Sequence, residues 1–370
     1  MRFSKDNTWA VKGLAICMMM FHHLFFQKSR FAGFDVNFAP FSQPQVVNIA
    51  ILCKVCVSLF AFLTGYGLFI SYNNMIKKQS MEGIQTDKWC IYRLVKTMSG
   101  FWYIYIVCFI VTMLLDRLPV ATYYDGNGPV KGIMYCLLDF FGVGYLVGTP
   151  TLCETWWYMG AAIVFILLVP LLYNIAEYTG WFGILIISII LPRMINMGFP
   201  GIVSIVSFIP AFVLGMMFAK YKLFDHIEIK LSDLGRVKSN ILCWGLALIG
   251  IAGSYLMYAR FTADKIWGIE YGFIPLIFIM FVKYCLCNIK WLNQFLIFMG
   301  KRSMTIFLTH TFLRYRYLKE WVYSRGHFLT IFIALFAASL ILAIILDLMK
   351  KLIGVDKIAD RLCGKLTYDK

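Results

Sequence analysis

Lys12 and His23 stand eleven positions apart inside one apolar run. In a helix, eleven residues return to within about 20° of the starting direction and climb about 16 Å. The two side chains therefore share one face, with the ammonium just inside one end and the imidazole about two-thirds of the way across. Ionisable groups in an apolar span are costly and mark function by default. An ammonium here suits the anionic end of a long molecule whose reacting end lies near His23. An imidazole is the natural general base at neutral pH, as a sugar hydroxyl attacking a thioester requires. The plainer alternative has Lys12 snorkelling to the headgroups and His23 hydrogen-bonded in packing. His22 is turned by about 100° from His23, so it either positions His23 or meets another helix.

Other residues could join them. His310 ends the stretch Ser303-Met-Thr-Ile-Phe-Leu-Thr-His310 midway through a late apolar run. It reads as a core histidine or as a second group at the site. Arg93 and Lys96 precede one apolar run, and Lys301 and Arg302 precede another. These are orientation charges or a site for an anionic cofactor, since arginine suits phosphate. Trp156 and Trp157 either pack or line a sugar site. Cys53 and Cys56 have CxxC spacing, but most of the eleven cysteines sit in apolar runs, where free cysteine behaves as a small apolar residue. Neither a disulfide framework nor a metal site is expected.

The elements that must carry these residues follow from composition. Of 370 residues, 61% are hydrophobic and 15% charged, against about 25% charged in ordinary soluble domains. Mean hydropathy is +0.74. Soluble globular, disordered and fibrous chains are excluded, leaving an all-α polytopic membrane protein. Ten segments read as spans: 9–27, 49–72, 97–116, 156–175, 181–197, 201–219, 240–259, 268–287, 303–321 and 328–349. The stretch 133–148 is ambiguous, with Asp139 and three glycines. No cleavable leader is expected, because the first run holds Lys12, His22 and His23 and lacks a small-residue cleavage site.

The net charge of +16 reads as topology rather than as nucleic-acid binding, since cytoplasmic loops collect Lys and Arg. If the N-terminus is cytoplasmic and 133–148 does not cross, the cytoplasmic segments hold 21 Lys/Arg, the opposite side 10 and the spans four: Lys12, Lys54, Arg193 and Lys283. The outer ten take in Arg314, Arg316 and Lys319, counted at the outer end of span 303–321. A crossing at 133–148 would put the basic loop 220–239 and the basic tail outside. About ten spans are therefore expected, with both termini cytoplasmic and 133–148 re-entrant or interfacial. One membrane domain covers 1–350, and 351–370 is a short basic cytoplasmic tail.

Five stretches, in order, resemble the integral-membrane acyltransferase-3 family. Lys12-x10-His23 is similar to its Arg/Lys-x10-His signature, and Phe62-Leu-Thr-Gly-Tyr-Gly-Leu68 to its "FLSGY" stretch. Tyr92-Arg93-Leu-Val-Lys96 resembles the basic start of span three, Trp156 through Pro170 the tryptophan-to-proline span, and Gly300-Lys-Arg-Ser303 through His310 the late "GxxS…LxH" stretch. Each is weak alone; together they run from residue 12 to residue 310. Three departures stand out: Lys12 where many members have arginine, Ala162 where many have glutamate, and no esterase-like domain after the last span.

The resemblance implies an O-acyltransferase, most simply an O-acetyltransferase, of the cytoplasmic membrane. It would move the acyl group from cytoplasmic acetyl-CoA, a co-substrate rather than a tightly bound cofactor, to a hydroxyl of a surface polysaccharide or its lipid-linked precursor. It implies His23 as the base, Lys12 as a donor contact and Arg93 at the CoA end. Lys96, Lys301 and Arg302 join them as donor-side cations, with His22, Trp156, Trp157, Ser303 and His310 in support. The rivals are a glycan or lipid transporter, or an acyltransferase for a small molecule, lipid or protein. A transporter should show repeated halves with paired broken helices, and no repeat is visible.

Overall fold

The computed structural model describes residues 3–78, 85–116, 124, 128–194, 205–260 and 270–367. Among these the fold is helical. No strand forms, and Asn37 and His327 pair in one isolated bridge. Six helical stretches are long and apolar enough to cross a membrane: Gln43–Lys78, Thr86–Asp116, Glu154–Ile190, Arg236–Arg260, Tyr271–Asn288 and Phe328–Ile353. The chain is thus a multi-pass membrane protein. Parts of the predicted spans at 195–197, 201–204 and 268–269 lie outside the described residues.

The chain divides into two compact units, Met1–Gly67 with Ser207–Ile341, and Leu68–Val206 with Leu342–Lys370. The first unit begins with α1 (Lys5–Phe25). Ser4 and Asn7 form its capping box: Asn7 N–H donates to Ser4 Oγ at 3.1 Å and Ser4 N–H to Asn7 Oδ1 at 3.0 Å. Such reciprocal capping fixes where a helix starts, and it places Lys12 two turns in. The helix α2 (Gln43–Leu52) is capped by Ser42 and Gln45, and α3 (Val55–Lys78) follows. The apolar run read as one span from 49 to 72 is interrupted between them. Lys54 N–H bonds Ile51 O, and Val57 N–H bonds Lys54 O, both three residues back.

Close packing in this unit rests on glycine. A Cβ on Gly13 would overlap the Leu296 carbonyl, and one on Gly300 the Trp9 carbonyl. α1 and α11 (Lys290–Lys301) therefore run antiparallel with backbones in contact, as small residues permit. In sequence the segment 288–302 falls between two spans and counts as cytoplasmic. It holds this amphipathic helix, with Leu296, Met299 and Gly300 buried. Gly65 of α3 meets the Phe212 carbonyl in the same way, whereas Gly67 has nothing within 4 Å. Phe212 belongs to α7 (Ile209–Lys220), which α8 (Leu223–Asp233), α9 (Arg236–Arg260) and α10 (Glu270–Tyr284) follow. Beyond α11, the predicted span 303–321 is α12 (Ser303–Thr311), a π-helical turn (Phe312–Tyr317) and α13 (Lys319–Tyr323). α14 (Phe328–Ile353) begins here and ends in the second unit.

The second unit contains α4 (Thr86–Asp116), α5 (Pro129–Phe140), α6 (Trp157–Met194) and α15 (Val355–Thr367). Gly180, at φ 69°, breaks α6 into two helices, at the boundary between the spans predicted at 156–175 and 181–197. α5 has 12 residues, about 18 Å of helix, too short for a hydrocarbon core of about 30 Å. α15 occupies most of the segment read as a tail. It packs on α4, with Ala359 and Cys363 buried and Asp360 paired to Lys96.

Candidate functional site

α1 is a single unbroken helix, so the shared face of Lys12 and His23 survives folding. Lys12 Nζ lies 5.0 Å from the Trp9 ring centroid and has no carboxylate partner among the described residues. The antiparallel register of α11 brings Lys301 and Arg302 to the same end of α1. Lys301 is exposed. Arg302 turns onto its own chain, donating to Phe298 O at 3.1 Å and stacking on the Phe298 ring at 3.9 Å.

The other end of α1 gathers the histidines. The rings of His23 and His310 lie 5.1 Å apart, and those of His22 and His23 5.2 Å apart. The hydrogen bonds separate their roles. His310 is fully buried; its Nδ1 bonds Phe307 O at 2.8 Å and Ile306 O at 3.2 Å. Carbonyl oxygens only accept, so Nδ1 carries the proton. His310 Nε2 meets Thr311 Oγ1 at 3.2 Å, so both ring nitrogens are engaged. His22 Nδ1 likewise donates to Ala50 O at 2.7 Å, which leaves Nε2 as the acceptor nitrogen of a neutral ring. His23 differs: its Nδ1 is buried with no hydrogen-bond partner.

Sequence reasoning assigned no role to Arg314. It lies in the π-helical turn, where Leu318 N–H reaches Leu313 O five residues back, and it is 3% exposed. It hydrogen-bonds Tyr323, whose hydroxyl donates to Leu24 O at 3.1 Å. Its charge lies close enough to act on His22, His23 and His310. π-turns of this kind recur at functional sites. The available signal was an arginine four residues after His310 in an apolar stretch. Ser303 is buried at the start of α12.

An aromatic cap covers this end. Phe25 packs against Phe31, Phe38 and Phe328, and His327 Nε2 bonds Ala39 O at 2.9 Å. Beside it lies a cavity of about 540 Å³ whose lining includes His22, Asn48, Lys54, Tyr258, Arg260 and Tyr271. The break between α2 and α3 presents Lys54 there, with Nζ donating to Tyr271 OH at 3.1 Å. Of the other intraspan cations, Lys283 is structural, ion-paired with Glu228 at 2.6 Å. The side chain of Arg193 lies outside the described residues.

The remaining predicted site residues belong to the second unit. Arg93 hydrogen-bonds Ser71 Oγ, which also accepts from Trp89 Nε1 at 3.0 Å. Arg93 Nε is buried without a partner. Lys96 is taken by Asp360. Trp156 is buried edge-on against Phe101 at 5.3 Å, a packing position. Trp157 contacts Tyr145 and Tyr158. Cys53 and Cys56 are unbridged, and no group of His, Cys, Asp or Glu among the described residues has metal-holding geometry.

An unbroken helix thus carries an acid-free cation at one end and an imidazole with an open nitrogen at the other, beside a buried arginine. Such an arrangement can hold an anionic chain and take a proton from a nucleophile. Comparison with known proteins bears on this chemistry. Neither a curated protein nor a solved structure matches the chain. The model of the acyltransferase-3 family, an acyltransferase domain, matches residues 10–348. The match takes in Lys12, both histidines of α1, Arg93, His310 and Arg314, and the chain belongs to the acyltransferase-3 family.

Proposed function

We propose that this membrane acyltransferase is an O-acetyltransferase of the cytoplasmic membrane. It moves an acetyl group from cytoplasmic acetyl-CoA to a hydroxyl of an extracytoplasmic surface glycan or its lipid-linked precursor. The observation that carries the reading is the open nitrogen of His23 beside His310, whose two nitrogens are occupied. Lys12, on the same helix face and without an acid, suits an anionic part of the donor, with Lys301 alongside. The distribution of Lys and Arg supports a cytoplasmic Lys12 end.

In this mechanism His23 takes the proton of the acceptor hydroxyl as that oxygen attacks the thioester carbonyl. The new C–O bond forms and the C–S bond breaks. The sulfur leaves with the electron pair of that bond, and the imidazolium returns the proton to it. Negative charge on the carbonyl oxygen develops near the buried Arg314, where low dielectric strengthens the stabilisation. A direct attack of this kind needs one base only.

The test is mass spectrometry of surface glycans from cells with and without the chain, combined with isotope-labelled acetyl-CoA supplied to inverted membranes. The expected result is an acetyl mass that depends on the chain and carries the label. An unchanged glycome with no labelled product overturns the reading in favour of transport or another acceptor.

A further inference from the structure

The cavity beside His22 has a composition that reports on the acceptor. At about 540 Å³ it lies in the usual range for small-ligand sites, about 300–1,000 Å³. Its lining mixes flat and amide groups, Tyr258, Tyr271 and Asn48, with two cations, Lys54 and Arg260. No carboxylate is among the described lining residues. Gln27, Asn48 and the two tyrosine hydroxyls both donate and accept, whereas Lys54 and Arg260 only donate and bring positive charge, which suits an anionic group on a sugar.

Lys54 makes the point sharpest. It stands in the middle of an apolar run, at the only turns separating α2 from α3. Its described partners are the hydroxyl and ring of Tyr271, at 3.1 Å and 5.2 Å, and both are neutral. Holding an ammonium there without an anion is costly. By contrast, Lys283 in the same unit has Glu228. Tyr271 fixes the direction of the Lys54 side chain without neutralising it, as a binding residue requires. His22 forms another wall, with its Nδ1 proton committed to Ala50 O, and the His23 ring is its neighbour.

We infer that this cavity is the acceptor site and that it selects an anionic sugar, one bearing a carboxylate or a phosphate, with Lys54 as the principal anion contact and Arg260 as the second. This inference rests on the acyl-transfer reading above. The anion anchors the sugar on Lys54 and directs a neighbouring hydroxyl toward the histidines.

The experiment uses the full chain in nanodiscs of neutral phosphatidylcholine, so that no lipid headgroup supplies a net negative charge. Labelled acetyl-CoA is given with three disaccharide probes: one carrying a hexuronic acid, one carrying a phosphate ester, and a neutral one of the same linkage. Preference is read as the ratio of kcat/KM for each charged probe to that of the neutral probe. One charged probe should be favoured about tenfold or more, as a charge-assisted hydrogen bond allows, and which one identifies the anion. Lys54→Gln should remove most of that preference, and Lys54→Arg should retain it. Equal transfer to charged and neutral probes, or a preference that survives Lys54→Gln, overturns the inference and leaves acyl transfer standing. Failure to consume acetyl-CoA with any probe overturns the transfer reading itself.

Discussion

Each compact unit buries a polar cluster, and the two are built on opposite terms. In the second unit Asp139 Oδ2 accepts from Leu152 N–H at 2.7 Å and from Tyr124 OH at 3.1 Å. Tyr124 contacts Tyr105, whose hydroxyl reaches Cys136 O at 3.2 Å. Phe101, Phe140 and Trp156 wall in the group. The carboxylate is committed to holding α5 and the chain after it, and an acid this enclosed belongs to the fold. In the first unit His23 keeps an open nitrogen, Lys12 lacks an acid, and Lys54 borders a cavity. Buried polar groups in folded proteins are nearly always paired, and each exception calls for a reason. Such exceptions occur in both units, Arg93 Nε and Trp102 Nε1 in the second among them, but His23, Lys12 and Lys54 share one helix face and one cavity. Burial therefore does not separate chemistry from scaffolding in this molecule; unspent hydrogen-bonding capacity gathered at one place does.

The sharpest test of that contrast sets His23 against Asp139. His23→Ala should cut acetyl transfer by about 10²- to 10⁴-fold, the usual worth of a general base, and leave thermal unfolding in detergent almost unchanged. Asp139→Asn keeps an acceptor for Leu152 N–H and should retain transfer within a few-fold. If Asp139→Asn silences a folded enzyme, or His23→Ala remains active, the assignment of roles is reversed.

Stability should respond in the other direction. Asp139→Ala strands the Leu152 N–H and takes the carboxylate acceptor from the Tyr124 hydroxyl, which keeps Tyr105, at a cost of about 1–3 kcal/mol. Burial pushes the Asp139 carboxyl up to about 6 from its usual value near 3.8, against the opposing hydrogen bonds from Leu152 and Tyr124. α5 is too short to cross a hydrocarbon core of about 30 Å, and a pH scan tests whether this group meets the aqueous phase. A raised carboxyl favours the protonated fold. Its stabilising contribution is complete below about pH 3.8 and is lost as pH rises through about 6. The unfolding temperature should fall between pH 4.5 and pH 7.5, and Asp139→Asn should flatten that dependence. An equal fall in the variant assigns the effect to another group.

What the sequence made legible follows from what periodicity encodes. The face shared by Lys12 and His23 was readable because a straight helix has a fixed repeat and nothing interrupts α1. The break at Cys53 and Lys54 was not, since no proline or glycine marks it and the apolar run continues through it. Lys54 therefore counted only as one of four intraspan cations. Arg314 was missed because a π-turn shifts register, so spacing from His310 no longer gives direction. α11 and α15 passed as loop and tail because short amphipathic helices carry too many charges to read as spans; their apolar faces gain meaning only beside α1 and α4.

The same contrast divides the predicted donor cations, and it gives the finest prediction. Lys12 and Lys96 are both lysines proposed to meet an anionic donor, but Lys96 already holds Asp360 near the surface, whereas among the described residues Lys12 meets the Trp9 ring and no acid. A cation with no acid gains most from an incoming anion; one already paired must first give up its partner. Lys12→Ala should therefore raise the KM for acetyl-CoA about tenfold, the loss of one charge-assisted contact, with a smaller change in kcat. Lys96→Ala removes an exposed ion pair worth about 0–1 kcal/mol, so its KM should move less than about threefold. Its main effect should be to loosen α15 from α4, read as faster hydrogen exchange across Val355–Thr367. Equal KM changes in the two variants would mean that Asp360 releases Lys96 to the donor, and α15 would then be part of the binding machinery rather than a brace on α4.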